Sequence, residues 1–192
     1  MARVRTVPPL LSGLVEPVLA VRRVWYRLRY PRLTMGTGVR IAGRLQLHEG
    51  TTLILGDRVR ILQNVIINGG GTVTVGSDTL LNGCWIGSRQ SVEVGDWCLI
   101  SDCSIVDTDY HNLPPTQRHQ KLSAKAEAPI RIGNNVWVGA QASVLKGTTI
   151  GSDSVIGFGA VVRGVVPDGV VLTGNPAQVV KTFTAEERAF RD

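Results

Sequence analysis

From Ile132 onward an aliphatic residue recurs every six positions, at Ile132, Val138, Val144, Ile150, Ile156 and Val162. Four residues after each come Val136, Ala142, Thr148, Ser154, Ala160 and Val166, a column of mostly small side chains. A period of six cannot be helical, because 3.6 does not divide it, whereas short strands joined by tight turns can repeat that way. The same register runs upstream through Leu55, Ile61, Ile67 and Val73, restarts at Val75 and Leu81, and restarts again at Val94, Ile100 and Val106. Turn triplets mark the restarts: Leu55-Gly56-Asp57, Val75-Gly76-Ser77, Val94-Gly95-Asp96, Ile132-Gly133-Asn134 and Ile150-Gly151-Ser152. They lie 20, 19, 38 and 18 residues apart, so three hexapeptides make one coil and the excess is insertion at corners. Each hexapeptide then supplies one face of a three-sided prism. Its aliphatic residue points inward, its small residue fits the corner, and Val and Ile stack from coil to coil as the core.

The 192-residue chain carries 26 Val and 12 Ile but only 5% aromatics. That much β-branched material excludes a disordered chain and predicts an aliphatic, all-β core. The formal charge of +6 invites a nucleic-acid reading until it is located. Residues 1–44 hold nine Arg and one acid, Glu16, giving +8; residues 45–192 hold 12 bases and 14 acids, giving −2. The basicity is N-terminal, without the stacking aromatics of a nucleic-acid surface, and no nucleic-acid partner is expected. Cys84, Cys98 and Cys103 are odd in number and lack zinc spacing, so they read as reduced thiols, with Cys98 in the small corner column. The apolar stretch Leu10 to Val21 is interrupted by Ser12, Gly13, Glu16 and Pro17 and is too short to span a bilayer. A cytoplasmic protein is expected.

The ends depart from the repeat. Residues 14–30 put Val18, Val21, Trp25 and Leu28 at helical spacing beside Arg22, Arg23, Arg27 and Arg29, until Pro31 stops the pattern. This predicts a basic amphipathic helix within residues 1–35. Thr184 with Glu187 three positions on predicts an N-capped terminal helix over 184–191, within a tail of residues 183–192. Both segments are expected to cover open ends of a β-helix spanning 36–182. With Trp25, Tyr26 and Tyr30 among its bases, residues 1–33 also suit peripheral contact with an anionic membrane face.

The register fails once in the C-terminal half: Val106 to Ile132 is 26 residues, 24 plus two, and 112–129 contains Pro114 and Pro115 with little apolar periodicity. An extruded loop on a rigid prism is where a solenoid can hold a substrate. Just before it stands Asp107-Thr108-Asp109-Tyr110-His111. In an extended segment residues 107, 109 and 111 project to one side, so two carboxylates are expected to flank an imidazole and prepare it as a general base.

At this point the chain resembles the hexapeptide-repeat acyltransferases, over residues 36–182 and most closely over 130–181. The likeness lies in the repeat, in Ile132-Gly133-Asn134-Asn135-Val136-Trp137-Val138-Gly139, and in the closing turns Val165-Val166-Pro167-Asp168 and Gly174-Asn175-Pro176-Ala177. It implies a left-handed parallel β-helix, a hand against the usual crossover preference. It also implies acetyl transfer from acetyl-coenzyme A, a co-substrate rather than a tightly bound cofactor, to a sugar or polysaccharide-precursor hydroxyl. His111 would be catalytic with Asp109 and Asp107, and the protein a homotrimer with its cleft between neighbours. By matching position, Ala140, Phe158, Arg163, Gly164, Gln178 and Lys181 would line the cofactor, with Trp137 beside its thiol end; Lys146, Arg163 and Lys181 are the bases left for its phosphates, and Asn82 with Trp137 would line the acceptor. Phe158 stands where a small residue is common and Gln178 where a base is common. The alternatives are N-acetyl transfer to an amino sugar or amino acid, and a non-catalytic scaffold. No metal site is expected: His48, His111 and His119, spaced by 63 and 8, do not resemble the three-histidine zinc site of carbonic anhydrases with this fold.

Overall fold

Three sheets of seven, eight and six strands form the sides of a β-solenoid of about seven turns in the computed structural model, which describes residues 9–189. Every strand pair is parallel except the last, where Gln178–Thr182 folds back antiparallel on Val170–Thr173. Taking the faces in the order the chain visits them, the second carries an aligned column of seven: Ile41, Ile61, Leu81, Ile100, Val138, Ile156 and Leu172. None of these is more than 5% exposed. Each such side chain contributes roughly 1.5–3 kcal/mol relative to exposure in water.

The period of six misplaces one residue. Val106 is half-buried on an outer surface, and Ile105 points into the core instead. From Ile100 the corner through Cys103 is one residue shorter than the corner from Val138 to Ala142, so the inward position of the third face comes a residue early.

The turn triplets owe their sequence to contacts between coils. Their third residues, and Asp168 of the closing turn, accept backbone N–H groups of the preceding coil: Thr37 N–H donates to Asp57 Oδ1 (2.7 Å), Ser77 N–H to Asp96 Oδ1 (2.6 Å), Asp96 N–H to Asn134 Oδ1 (3.0 Å) and Ser152 N–H to Asp168 Oδ1 (2.7 Å). Short polar side chains thereby satisfy corner amides that no strand ladder reaches. The glycine before each donating residue is required by that approach. A Cβ on Gly95 would lie 2.4 Å from Asn134 Oδ1 and 2.7 Å from the Gly133 carbonyl oxygen.

The N-terminal helix, Pro9–Arg29, covers the first coil with the face opposite to the one its apolar spacing suggests. Leu19 and Tyr26 are buried, whereas Val18, Val21, Trp25 and Leu28 are all more than half exposed. Guanidinium groups make the contact: Arg22 donates to the Gly43 carbonyl, Arg23 to that of Val39 (3.2 Å) and Arg27 to that of Met35 (3.1 Å). Among the described residues no strand lies on that side to receive the first coil's corner carbonyls, and long donors complete it. At the other end Ala185–Arg188 is helical, with Thr184 and Glu187 forming the expected capping box; residues 190 and 191 of the predicted helix lie outside the described residues, as do residues 1–8. No helix among the described residues is long and apolar enough to cross a membrane.

Candidate active site

The segment leaving the third face after Ser104–Val106 turns at Asp107, which is fully buried. Its carboxylate accepts the N–H groups of Arg89 (2.7 Å) and Gln90 (2.8 Å) and the Ser88 hydroxyl (3.1 Å). Burial pushes this carboxyl above its ordinary value, and the three donors oppose that shift. Asp107 is therefore a corner fastener, joining this coil to the one before.

Asp109 points to a different partner, the Lys146 ammonium at 2.7 Å. Lys146 also donates to the Lys125 carbonyl oxygen at 2.5 Å, so one cation from the next coil grips both ends of the extruded loop. The expected carboxylate pair around His111 is thus corrected. Alternation ends at the buried Asp107, and Tyr110 adopts φ +60°, which turns residues 107, 109 and 111 out of a common line. Tyr110 lies over the third face, its ring stacked on Trp85 at 6.3 Å and its hydroxyl against Gly87, where a Cβ would approach to 2.2 Å.

His111 follows immediately, exposed, with its amide donating to the Asp109 carbonyl at 2.7 Å. Among the described residues its imidazole makes no hydrogen bond, so both ring nitrogens are available to a substrate. The loop beyond is ordered by Asn112, a residue the sequence did not single out. Its buried carboxamide donates to the carbonyls of Gln117 (2.9 Å) and Lys121 (3.0 Å) and accepts from Ser123 N–H (2.9 Å). An open pocket of about 380 Å³ between Asp109, Asn112, Lys125 and Lys146 lies beneath this loop. No periodic signal could reveal Asn112, since its partners are 5 to 11 residues away in irregular chain.

The remaining expected positions form two groups. Arg163 and Gly164 occupy the same prism edge as the loop, one coil beyond Lys146, where the third face turns into the first. Arg163 is exposed without a hydrogen bond among the described residues, and a Cβ on Gly164 (φ +77°) would meet open space. The second group lies on the second face and its following corner. Trp137, Val155, Val171 and Lys181 align across adjacent strands of that face, and Trp137 is half exposed. Ala140 and Phe158 stack at the next corner, where Gly159 N–H donates to the Ala140 carbonyl (3.0 Å), and the Phe158 ring is 70% exposed. Gln178 is exposed on the final strand, while Lys181 is paired with Glu187 at 2.6 Å and lies 4.8 Å from the Phe183 ring. Asn82 sits at the same corner two coils earlier, its amide donating to Asp102 Oδ2 at 3.4 Å. Within one chain the third face separates this group from His111.

The thiols offer no competing nucleophile. All three cysteines are free and buried, and burial pushes Cys98 up to about 11 and Cys103 up to about 12, with Cys84 higher still.

Residues 129–164 match the family model described as bacterial transferase hexapeptide (six repeats). A Mycobacterium tuberculosis protein named as a probable acetyltransferase is 34% identical over 178 residues, covering 82% of this chain and 57% of its own length. WbbJ of Escherichia coli, named for O-acetyl transfer in lipopolysaccharide biosynthesis, is 30% identical over 192 residues, covering 91% of this chain and 89% of its own. This chain therefore spans little more than half of the first relative and nearly all of the second. Among solved structures, a galactoside acetyltransferase in complex with coenzyme A superposes with a TM-score of 0.62 at 22% identity, covering 98% of this chain and 80% of that one, a likeness of fold.

Proposed function

Because this chain belongs to the hexapeptide-repeat acyltransferases, we propose that it transfers an acetyl group from acetyl-coenzyme A to a hydroxyl of a saccharide, with His111 as the general base. The observation that carries this reading is the placement of His111: exposed, unbonded at its ring, and set on a loop that Asn112 and Lys146 hold in one shape. One ring nitrogen would take the proton of the acceptor hydroxyl as its oxygen attacks the thioester carbonyl, and the other would release it to solvent or to the departing thiolate. A backbone N–H at the cleft would stabilise the oxyanion, and no covalent enzyme intermediate is needed.

The separation of His111 from Trp137, Ala140 and Phe158 supports a homotrimer. The loop edge of one copy would close over the second face of the next, so that each site draws on two chains. In such a site Trp137 and Phe158 offer apolar surface to the pantetheine arm, and Arg163 offers a fork to a phosphate. Lys146 is assigned to the loop instead, its ammonium being already held. The apolar stripe that the N-terminal helix leaves outward supports peripheral contact with an anionic membrane.

Thiol release from acetyl-coenzyme A with a panel of neutral sugars, amino sugars and lipid-linked saccharides tests the reading. His111→Ala is expected to lower turnover by about 10²–10⁴. Near-normal turnover would remove His111 from the chemistry, and preference for amino sugars would move the reaction to nitrogen.

A further inference from the structure

We propose that the groove between the N-terminal helix and the early coils of the second face binds an anionic group of the acceptor: a phosphate, diphosphate or carboxylate carried by the saccharide. This rests on the acetyl-transfer reading and extends it from the reacting hydroxyl to the acceptor's charge.

The groove, of about 720 Å³, brings Arg23, Arg40, Arg58 and Arg60 together with two acids, Glu16 and Asp78. Three of the guanidinium groups have partners. Arg58 makes two hydrogen bonds to Asp78 (2.7 and 2.6 Å), Arg40 one to Glu16 (2.6 Å), and Arg23 one to the Val39 carbonyl (3.2 Å). Arg60 makes no hydrogen bond or ion pair among the described residues, and its exposed fork lies beside Arg40 in register. Two positive charges in excess, one of them an unoccupied planar fork, suit a bidentate oxyanion better than a neutral ligand.

Trp97 adds a second, independent mark. It adopts φ +60°, the left-handed conformation this corner also imposes on the aligned Arg58, Asp78, Asn135 and Asp153 (φ 53–59°), and places the largest side chain of the series there. A bulky residue in the left-handed region is held there at a cost. That backbone carries a half-exposed indole into the wall of the groove, a flat apolar surface against which a sugar ring can lie.

The groove also leads towards the candidate acceptor position. Arg40, Arg60, Leu80, Leu99 and Trp137 align on successive strands of the outer surface. Four strand steps at about 4.8 Å put Arg40 roughly 19 Å from Trp137. An extended acceptor anchored by its charge at Arg40 and Arg60 would therefore reach the Trp137 end of the cleft with its far sugar.

Calorimetry on the full chain without acetyl-coenzyme A tests this, using tetragalacturonate, its uncharged methyl ester and inorganic pyrophosphate as probes. At least one anionic probe is expected to bind ten-fold or more tightly than the ester, with affinity falling as salt rises. Tighter binding of pyrophosphate identifies a phosphorylated acceptor, and tighter binding of the uronate an acidic glycan. Arg60→Glu is expected to weaken the anionic probe at least ten-fold while leaving the melting temperature and acetyl-coenzyme A binding unchanged. Equal binding of acid and ester, no binding of either anion, or indifference to both Arg60→Glu and Arg60→Ala would overturn the proposal. Failure of the wild-type chain to bind acetyl-coenzyme A would instead sink the transfer reading, and the anion titration would still judge the groove.

Discussion

Replacing Asp107 separates a structural carboxylate from a catalytic one. In Asp107→Ala two backbone donors, the N–H groups of Arg89 and Gln90, lose their acceptor together with the Ser88 hydroxyl. An unsatisfied buried donor costs about 1–3 kcal/mol, so the two amides together cost about 2–6 kcal/mol. Arg89 and Gln90 are exposed at their side chains, and water entering the corner places the expected value near the lower end, about 2–3 kcal/mol. At about 2–4 °C per kcal/mol for a chain of this size, the melting temperature should fall by roughly 4–12 °C. Asp107→Asn keeps one acceptor oxygen and removes a charge that burial disfavours, so it should cost about half as much. Thermal unfolding and turnover per folded molecule, measured on the same preparations, are the assay. Both variants should retain turnover within about two-fold, because Asp107 is directed away from His111 into the corner. An Asp107→Asn protein that melts like wild type yet loses 10²-fold in turnover would refute the reasoning.

Gly95→Ala should destabilise by about 1–3 kcal/mol, since its Cβ would meet coordinated atoms of the next coil at 2.4 and 2.7 Å; urea unfolding reads this directly. Lys146→Met should leave the β-helix melting nearly unchanged but release the loop from Asp109 and Lys125, seen as faster proteolysis within 112–129 and lower turnover. Asp57, Asp78 and Glu187 are held below the ordinary carboxylate range by a backbone N–H from Thr37, by Arg58 and by Lys181 respectively. Their stabilisation is present above pH ~4 and lost as pH falls through the depressed values, whereas Asp107, shifted upward, opposes that loss. Unfolding midpoints should therefore stay level from pH 7 to about pH 5 and drop below pH ~4; a steady rise on acidification would contradict the assignment. For membrane contact, Val21→Glu with Leu28→Glu should abolish co-sedimentation with anionic vesicles, and unchanged pelleting would end that idea.

Much of this protein was legible in its residues because a solenoid is written in a local code. Inward and outward side chains alternate within each hexapeptide, and successive coils repeat the alternation, so Ile132 to Val162 announce the prism without any long-range information. The turn triplets and the Thr184–Glu187 cap were equally visible, being set by chemistry a few residues wide. The orientation of the N-terminal helix was not. Its spacing marks an apolar stripe, but which face docks depends on the unpaired carbonyls of a coil 8 to 21 residues away, and these select arginine. The same distinction divides the site. The sequence determined that a loop opens at His111; only the tertiary structure decided that Asp107 serves Arg89 and Gln90, that Asp109 serves Lys146, and that Arg60, without a hydrogen bond or ion pair among the described residues, shares a groove with Trp97. A carboxylate goes to the donors that burial would otherwise leave unsatisfied, and those donors lie 17 to 37 residues away, beyond what a six-residue period records.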